Sequence, residues 1–257
     1  MFNLFFGAHI MTSRLFFTVL ALLVLPVAIA SLGYQSQWHW FPLLELDEAP
    51  ALFAYSMTLT VGKFGIAFTL CALSALALFR WRRRPGQLAV FFLCLMAALG
   101  SAFVTKTVAK QYFKEPRPYV LWLADKGRLA ESERFYAQIP VIRERWLADG
   151  LSDMSEQQVP GWLKLHWQDE VSYSFPSGHS IAAMTIAGFY CLLLLYRRRS
   201  PWLTGTLAVW AVAVCYSRLL LGLHWPVDIL ASSVLGVMFG VLGAWAFIWW
   251  DQRELTD

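Results

Sequence analysis

Long apolar runs constrain this chain more than any other feature of its sequence. Nearly uncharged stretches close to the ~20 residues that an α-helix needs to cross a bilayer occur at 15–34, 88–105, 179–196, 202–217 and 227–249. Hydrophobic residues make up 58% of the chain and aromatic residues 16%, which leaves too little polar surface for a water-soluble domain of this size. The sequence therefore predicts an all-α integral membrane protein.

A sixth crossing segment is less regular than the other five. Residues 51–79 are long enough to span the membrane, but Lys63 interrupts them, and a charged side chain is costly in the hydrocarbon region. We expect the crossing core at 64–79, with an extension outside the membrane before it. The total is then six transmembrane helices.

Two arginine clusters predict the orientation of these helices. One cluster lies within 80–84, between the second and third spans, and the other covers 197–199, between the fourth and fifth. Positive residues mark cytoplasmic loops, so the large loop 119–175 should face the outside. We expect this loop to be partly helical, either as amphipathic helices on the membrane surface or as a solvated cap. Together with the spans it forms a single predicted domain, 11–250.

The first span also resembles a secretory signal. Its apolar run follows Arg14 and ends in the small residues around Ala28 and Ala30, as cleavable signals do. We expect an uncleaved anchor here, and Met11 is an alternative start.

Several classes of function are disfavoured by composition. The net charge of +4 comes from short clusters, without the basic stripe that a nucleic-acid partner would need. The four cysteines fall inside apolar runs without CxxC spacing, so we expect small buried hydrophobes instead of a disulfide framework or a zinc site. The sequence does not indicate an oligomeric state.

Polar side chains from three distant segments are predicted to meet at the outer face. Side chains that merely anchor helices at the interface would not all fall on one side of the membrane. These side chains should therefore form one site. They are Lys110 and Arg117 after the third span, Ser177, Gly178 and His179 at the start of the fourth, and Arg218, His224 and Asp228 around the turn between the last two.

The cations in this set are suited to a phosphate ester. A phosphate dianion needs several positive donors, which Lys110, Arg117 and Arg218 can supply, the arginines as planar forks. Ser177 can cap the fourth span, and Gly178 lets backbone N–H groups approach an anion at the helix N-terminus.

The two histidines are predicted to have different roles. His224 and Asp228 have helical i, i+4 spacing, so Asp228 can accept the Nδ1–H of His224 and leave Nε2 free to attack phosphorus. His179 would protonate the departing alkoxide oxygen. Because the cations neutralise the phosphate charge and no metal-binding motif is present, we expect neither a metal nor another cofactor.

Other polar residues are weaker candidates for the functional site. His9, His39 and His166 lack nearby ligand partners, so we expect interfacial or surface side chains. Glu170 lies nine residues before His179 and can add an acid near the pocket, but we expect an ordinary loop carboxylate.

The motifs K-x6-R-P at 110–118, PSGH at 176–179 and S-R-x5-H-x3-D at 217–228 resemble the three-part signature of the type 2 phosphatidic acid phosphatase superfamily. The resemblance implies six transmembrane helices, a phosphohistidine intermediate on His224, acid catalysis by His179 and metal independence. "RPYVLWLADK" and the long loop resemble bacterial members of that superfamily. This likeness implies phosphatidylglycerol phosphate, phosphatidate and undecaprenyl diphosphate as substrates.

Other functions remain compatible with the same residues. A dedicated undecaprenyl diphosphatase or a lipid phosphotransferase would use the same pocket, because the motifs contact only the phosphate. A lipid or anion transporter would use the cations for binding alone and would not need His179.

Overall fold

The computed structural model describes residues 15–29, 40–81, 85–197 and 200–254, and within these ranges the regular elements are helices. In chain order they are α1 (Leu15–Ile29), α2 (Ala49–Leu59), α3 (Gly65–Trp81), α4 (Pro85–Phe113), α5 (Pro118–Asp125), α6 (Ser132–Tyr136), α7 (Pro140–Leu151), α8 (Gly161–Gln168), α9 (Gly178–Tyr196), α10 (Pro201–Leu220) and α11 (Pro226–Arg253).

Four helical stretches of the described chain are long and apolar enough to cross a membrane. They are Gly86–Asp125, which contains α4 and α5, and the helices α9, α10 and α11. Shorter apolar helices occur at Leu15–Ile29, Ala49–Leu59 and Gly65–Leu76. The prediction of an all-helical, multi-pass membrane protein is confirmed, whereas the count of six spans stays a prediction.

The predicted interruption near Lys63 is present in the structure. Helix α2 ends at Leu59, the backbone forms turns over residues 60–64, and α3 begins at Gly65. The signal-like end of the first span is only partly described, since Ala28 lies in α1 whereas Ala30 and the alternative start at Met11 lie outside the described residues, and the uncleaved anchor stays a prediction.

Helix α9 is the centre of the helical bundle, packed against α4, α10 and α11. Small residues let α9 and α11 approach closely: a Cβ added to Gly240 would lie 2.2 Å from the carbonyl oxygen of Thr185. Close backbone approach at small residues is the usual way for membrane helices to pack. This contact fixes the N-terminus of α9 beside the N-terminus of α11, and both ends carry predicted site residues.

Helices α5 to α8 form a cap, residues 118–168, with an apolar core of its own that includes Phe135, Leu147 and Trp167. The cap is joined to the turn between α10 and α11, because Trp167 Nε1 donates to the Leu221 carbonyl at 3.0 Å and Tyr119 N donates to the Gly222 carbonyl at 2.9 Å. The predicted partly helical loop is therefore a packed cap that supports the turn.

The cysteines match their predicted role in part. Cys191 and Cys215 are buried, Cys94 is half-buried and Cys71 is exposed, and all four are free thiols. The expectation of burial is therefore wrong for Cys71, which lies on the outward side of α3.

Candidate active site

The predicted site residues come together at one end of the bundle. A cavity of about 660 Å³ lies between the α2–α3 turn with the start of α3, helix α4, the segment 169–172 that follows the cap, and the N-terminal part of α9. Its polar lining includes Lys106, Lys110, Arg117, Glu170, Gly178, His179 and His224. Ser177, Arg218 and Asp228 are buried; Arg218 contacts Glu170 and Asp228 contacts His224, while Ser177 directly precedes Gly178.

His224 and Asp228 form the predicted pair. His224 lies in the turn before α11, where Pro226 occupies the first helical position, and its Nδ1 is 3.2 Å from Asp228 Oδ2. The same oxygen accepts the backbone N–H of Trp225 at 2.9 Å and the hydroxyl proton of Ser174. These contacts fix the carboxylate and thereby the plane of the imidazole ring.

The other nitrogen of His224 faces a cation. Arg117 Nη1 lies 3.4 Å from Nε2, and because a guanidinium can only donate, Nε2 must be the acceptor and Nδ1 carries the proton. Burial lowers the pKa of His224 well below its usual range, and the nearby Arg117 and Arg218 lower it further. The imidazole is therefore neutral, and the lone pair on Nε2 faces Arg117.

Glu170 bridges the two arginines, contrary to the expectation of an ordinary loop carboxylate. Its Oε2 accepts from Arg117 Nη2 at 2.7 Å and its Oε1 accepts from Arg218 Nη2 at 2.7 Å. Burial raises the pKa of Glu170, but Arg218 and Arg117 outweigh burial and hold it well below its usual range. The carboxylate is therefore ionised and occupies the space between the two guanidinium groups.

His179 completes the set around this carboxylate. It lies in the first turn of α9, and its Nδ1 is 3.5 Å from Glu170 Oε1. The carboxylate thus contacts both arginines and one histidine, the groups that the sequence assigned to phosphate binding and to leaving-group protonation.

The PSGH segment builds the N-terminus of α9. Ser177 caps the helix, since its Oγ accepts from Ser180 N at 3.3 Å, and its own N–H donates to Ser232 Oγ at 2.8 Å. Both polar groups of Ser177 therefore have structural partners, and its predicted contact with phosphate stays a prediction. A Cβ added to Gly178 would lie 2.9 Å from Lys106 Cδ, so glycine leaves room for the Lys106 side chain, and the predicted approach of an anion to the N–H groups at this position stays a prediction.

Lys110 ties α4 to the segment that precedes PSGH. It lies in the last turn of α4, and its ammonium donates to the Tyr173 carbonyl and, at 3.3 Å, to the Ser174 carbonyl. Lys110 also lines the cavity, so it is placed to contribute positive charge as predicted.

His166 corrects another sequence expectation. The ring is half-buried, and its Nε2 is 3.2 Å from Arg218 Nη1, so the expectation that His166 lacks a nearby partner is wrong. Burial and the neighbouring Arg218 lower the pKa of His166 to about 4, so the ring is neutral at pH 7. His9 and His39 lie outside the described residues.

Comparison with known proteins agrees with this geometry. The profile of the PAP2 superfamily matches residues 89–253. The chain belongs to the PAP2 superfamily. It is 32% identical to phosphatidylglycerophosphatase B of Escherichia coli (strain K12) over 229 residues, 87% of this chain and 84% of that protein. It is 31% identical to phosphatidylglycerophosphatase B of Haemophilus influenzae over 229 residues, 88% of this chain and 91% of that protein.

A shorter similarity involves a different named activity. The chain is 42% identical over 64 residues to undecaprenyl-diphosphatase of Sulfolobus acidocaldarius, which covers 25% of this chain and 29% of that protein. The match to the PAP2 superfamily begins in α4 and includes every residue of the predicted site. Helices α1 to α3 precede the matched region.

The position of Glu170 generates a prediction for this PAP2 protein. Glu170→Gln leaves two buried guanidinium groups without an anion, and breaking a buried ion pair costs about 3–5 kcal/mol. The variant should therefore unfold at a lower temperature than wild type without added anion, and orthovanadate should stabilise it more than it stabilises wild type. The dissociation constant of vanadate should fall by about ten-fold, since hydrogen bonds to charged groups are each worth about 1.5–3 kcal/mol. Thermal unfolding in detergent over a series of vanadate concentrations measures both the stability and this dissociation constant.

The matched control is Glu131→Gln, an exposed glutamate at the start of α6. It should match wild type in both measurements. Equal vanadate affinity for Glu170→Gln and wild type would contradict competition between this carboxylate and the anion.

Proposed function

We propose that this PAP2 protein removes phosphate from lipid phosphates by way of a phosphohistidine on His224. Membership in the superfamily and similarity to phosphatidylglycerophosphatase B over most of the chain support the reaction class. The observation that carries the mechanism is the pair His224–Asp228, whose Nε2 carries a lone pair and faces Arg117, one of two buried arginines that share the Glu170 carboxylate. The protein is a lipid phosphate phosphatase.

The first step transfers the phosphoryl group to the enzyme. The Nε2 lone pair of His224 attacks phosphorus while the bond from phosphorus to the lipid oxygen breaks. Asp228 stabilises the positive charge that develops on the ring. His179 gives a proton to the departing oxygen, because an unprotonated alkoxide is a poor leaving group.

The second step returns the enzyme to its starting state. His179, now neutral, takes a proton from a water molecule that attacks the phosphohistidine, and the bond between phosphorus and nitrogen breaks. Inorganic phosphate leaves and His224 regains its lone pair. Throughout both steps Arg117, Arg218 and Lys110 provide the positive charge that phosphoryl transfer requires, and the reaction therefore needs no metal or other cofactor.

The cavity is suited to a lipid. Besides its polar end it has an apolar lining that includes Ile66, Met96, Leu99, Phe103 and Ile181. These residues belong to α3, α4 and α9, so acyl or prenyl chains enter between helices while the head group lies at the arginines. The proposed substrates are phosphatidylglycerol phosphate, phosphatidate and undecaprenyl diphosphate, and the lipid bilayer itself is the partner.

Six membrane crossings with the site at the periplasmic face of the inner membrane are part of the proposal, as is a single domain over 11–250. The arginine clusters support this orientation.

In a variant without the four native cysteines, Ser152→Cys, at the exposed residue that follows α7, should react with an impermeant thiol reagent in intact spheroplasts. Glu254→Cys, just after α11, should react only after permeabilisation. The opposite pattern would place the site at the cytoplasmic face.

Phosphate release from a lipid panel tests the function. Purified protein should release inorganic phosphate from the three proposed lipids in the presence of EDTA, with inhibition by orthovanadate, which can take the five-coordinate shape of phosphoryl transfer. His224→Ala should release none and should form no phosphoenzyme, because it lacks the nucleophile. Activity on undecaprenyl diphosphate alone would favour the dedicated diphosphatase. Transfer of phosphate to another lipid would favour the phosphotransferase, and no turnover on any lipid would favour a transporter.

The roles of His179 and Asp228 are tested with two leaving groups. His179→Ala should lose much less activity on a nitrophenyl phosphate than on a lipid phosphomonoester, because nitrophenolate needs little protonation to leave. Asp228→Asn should lose about 10²- to 10⁴-fold on both substrates, because it misorients the imidazole of His224. Acid-quenched trapping of phosphohistidine supplies the second measurement. A phosphoenzyme in His224→Ala but not in His179→Ala would exchange the two assigned roles.

A further inference from the structure

The side of Arg218 that faces away from the anion site is held by two neutral groups. Its side chain is fully buried in the last turn of α10. While Nη2 donates to Glu170, Nη1 donates to His166 Nε2 at 3.2 Å and to Thr58 Oγ1 at 3.4 Å. Thr58 belongs to α2 and His166 to α8, so two helices from different parts of the chain converge on one guanidinium nitrogen.

The proton of Thr58 has a defined direction. Ser217 donates its hydroxyl proton to the Val214 carbonyl at 2.7 Å, and Ser217 Oγ lies 2.7 Å from Thr58 Oγ1. Since each hydroxyl has a single proton, Thr58 must donate to Ser217 and use a lone pair to accept from Arg218. The chain of donors thus runs from the guanidinium through Thr58 and Ser217 to the backbone of α10.

His166 acts as an acceptor for a related reason. A guanidinium nitrogen cannot accept a hydrogen bond, so His166 Nε2 must present its lone pair and Nδ1 carries the proton. The ring is also fixed by packing: it lies edge-on to Tyr55 at 5.3 Å between centroids, and Tyr55 stacks on Trp162 at 4.7 Å. Tyr55 and Thr58 are both on α2, so α2 fixes both acceptors.

We infer that Thr58 and His166 are positioning residues for the phosphatase reaction, which hold Arg218 Nη1 so that Nη2 points at the phosphoryl group. Neutral acceptors suit this role, because a carboxylate at either position would offset the positive charge that the substrate needs. The inference rests on the proposed function, in which Arg218 binds the phosphoryl oxygens of the substrate. It also assigns a task to α2, a helix that precedes the region matched by the PAP2 superfamily.

The experiment compares acceptor-removing variants with acceptor-keeping ones. Thr58→Val and His166→Phe remove the acceptor at nearly constant volume, and each should lower kcat/KM about ten-fold, the effect of losing one hydrogen bond to a charged group. Thr58→Ser and His166→Gln keep an acceptor and should stay within about three-fold of wild type. The vanadate inhibition constant should rise by the same factor as kcat/KM falls, because vanadate contacts the same arginine. Ser56→Ala, on the exposed side of α2, is the control and should match wild type.

A double-mutant cycle separates positioning from general damage to the fold. In an Arg218→Lys background the fork that Thr58 and His166 hold is absent, so adding Thr58→Val or His166→Phe should cost less than about two-fold. Coupling of this kind is expected only between residues that act together. If each substitution lowers kcat/KM by the same factor in Arg218→Lys as in wild type, the inference is wrong.

Two further outcomes are distinguishable. If Thr58→Val does not fold, the inference is tested by comparing kcat/KM of His166→Phe with that of His166→Gln. Equal values for these two variants would reject it. If wild type and Ser56→Ala release no phosphate from any lipid, the proposed function fails. If wild type and Ser56→Ala are active, and Thr58→Val and His166→Phe have the same kcat/KM as wild type, only the positioning role fails.

Discussion

Two buried guanidinium groups that share one carboxylate determine the structure of the outer end of the bundle. The side chains of Arg117 and Arg218 are almost completely inaccessible to water, and a buried cation is costly unless it is paired and hydrogen-bonded. Glu170 supplies the charge partner for both. One carboxylate for two guanidinium groups leaves a net positive charge, so the folded protein contains an anion site before any substrate arrives.

The same arginines hold the surrounding segments together. Arg117 Nε donates to the Ser172 carbonyl at 2.7 Å and Nη1 donates to the Leu223 carbonyl at 3.1 Å. Arg117 therefore joins the end of α4, the segment before PSGH and the turn that carries His224. Because these hydrogen bonds leave few orientations open to the guanidinium, the geometry proposed to bind phosphate is also the geometry that joins these segments. In the proposed mechanism, stability and catalysis depend on the same contacts at this end of the molecule.

The sequence predicted those parts of the site that depend on short-range geometry. The pairing of His224 with Asp228 follows from i, i+4 spacing, and the helix cap at Ser177 follows from the preference of serine for that position. The contacts of Arg218 with Glu170, His166 and Thr58 connect residues 48, 52 and 160 positions apart. No local pattern encodes such contacts. Thr58 is one of several hydroxyl-bearing residues in a mostly apolar helix, and Glu170 and His166 are polar residues among others in the long loop. Their roles become visible only when the cap is packed on the α10–α11 turn.

The shared carboxylate also bears on which phosphates can enter the site. Glu170 is tethered, so its effective concentration at the arginines is high, and an incoming anion must make stronger contacts to replace it. A phosphomonoester offers up to two negative charges and three free oxygens, more than one carboxylate provides to the two arginines. A phosphodiester, the group found in most membrane phospholipids, offers one charge and two free oxygens, which is no more than the carboxylate already provides. If the arginines bind the phosphoryl group as proposed, a monoester would therefore displace the Glu170 carboxylate more readily than the phosphodiesters of the surrounding bilayer would.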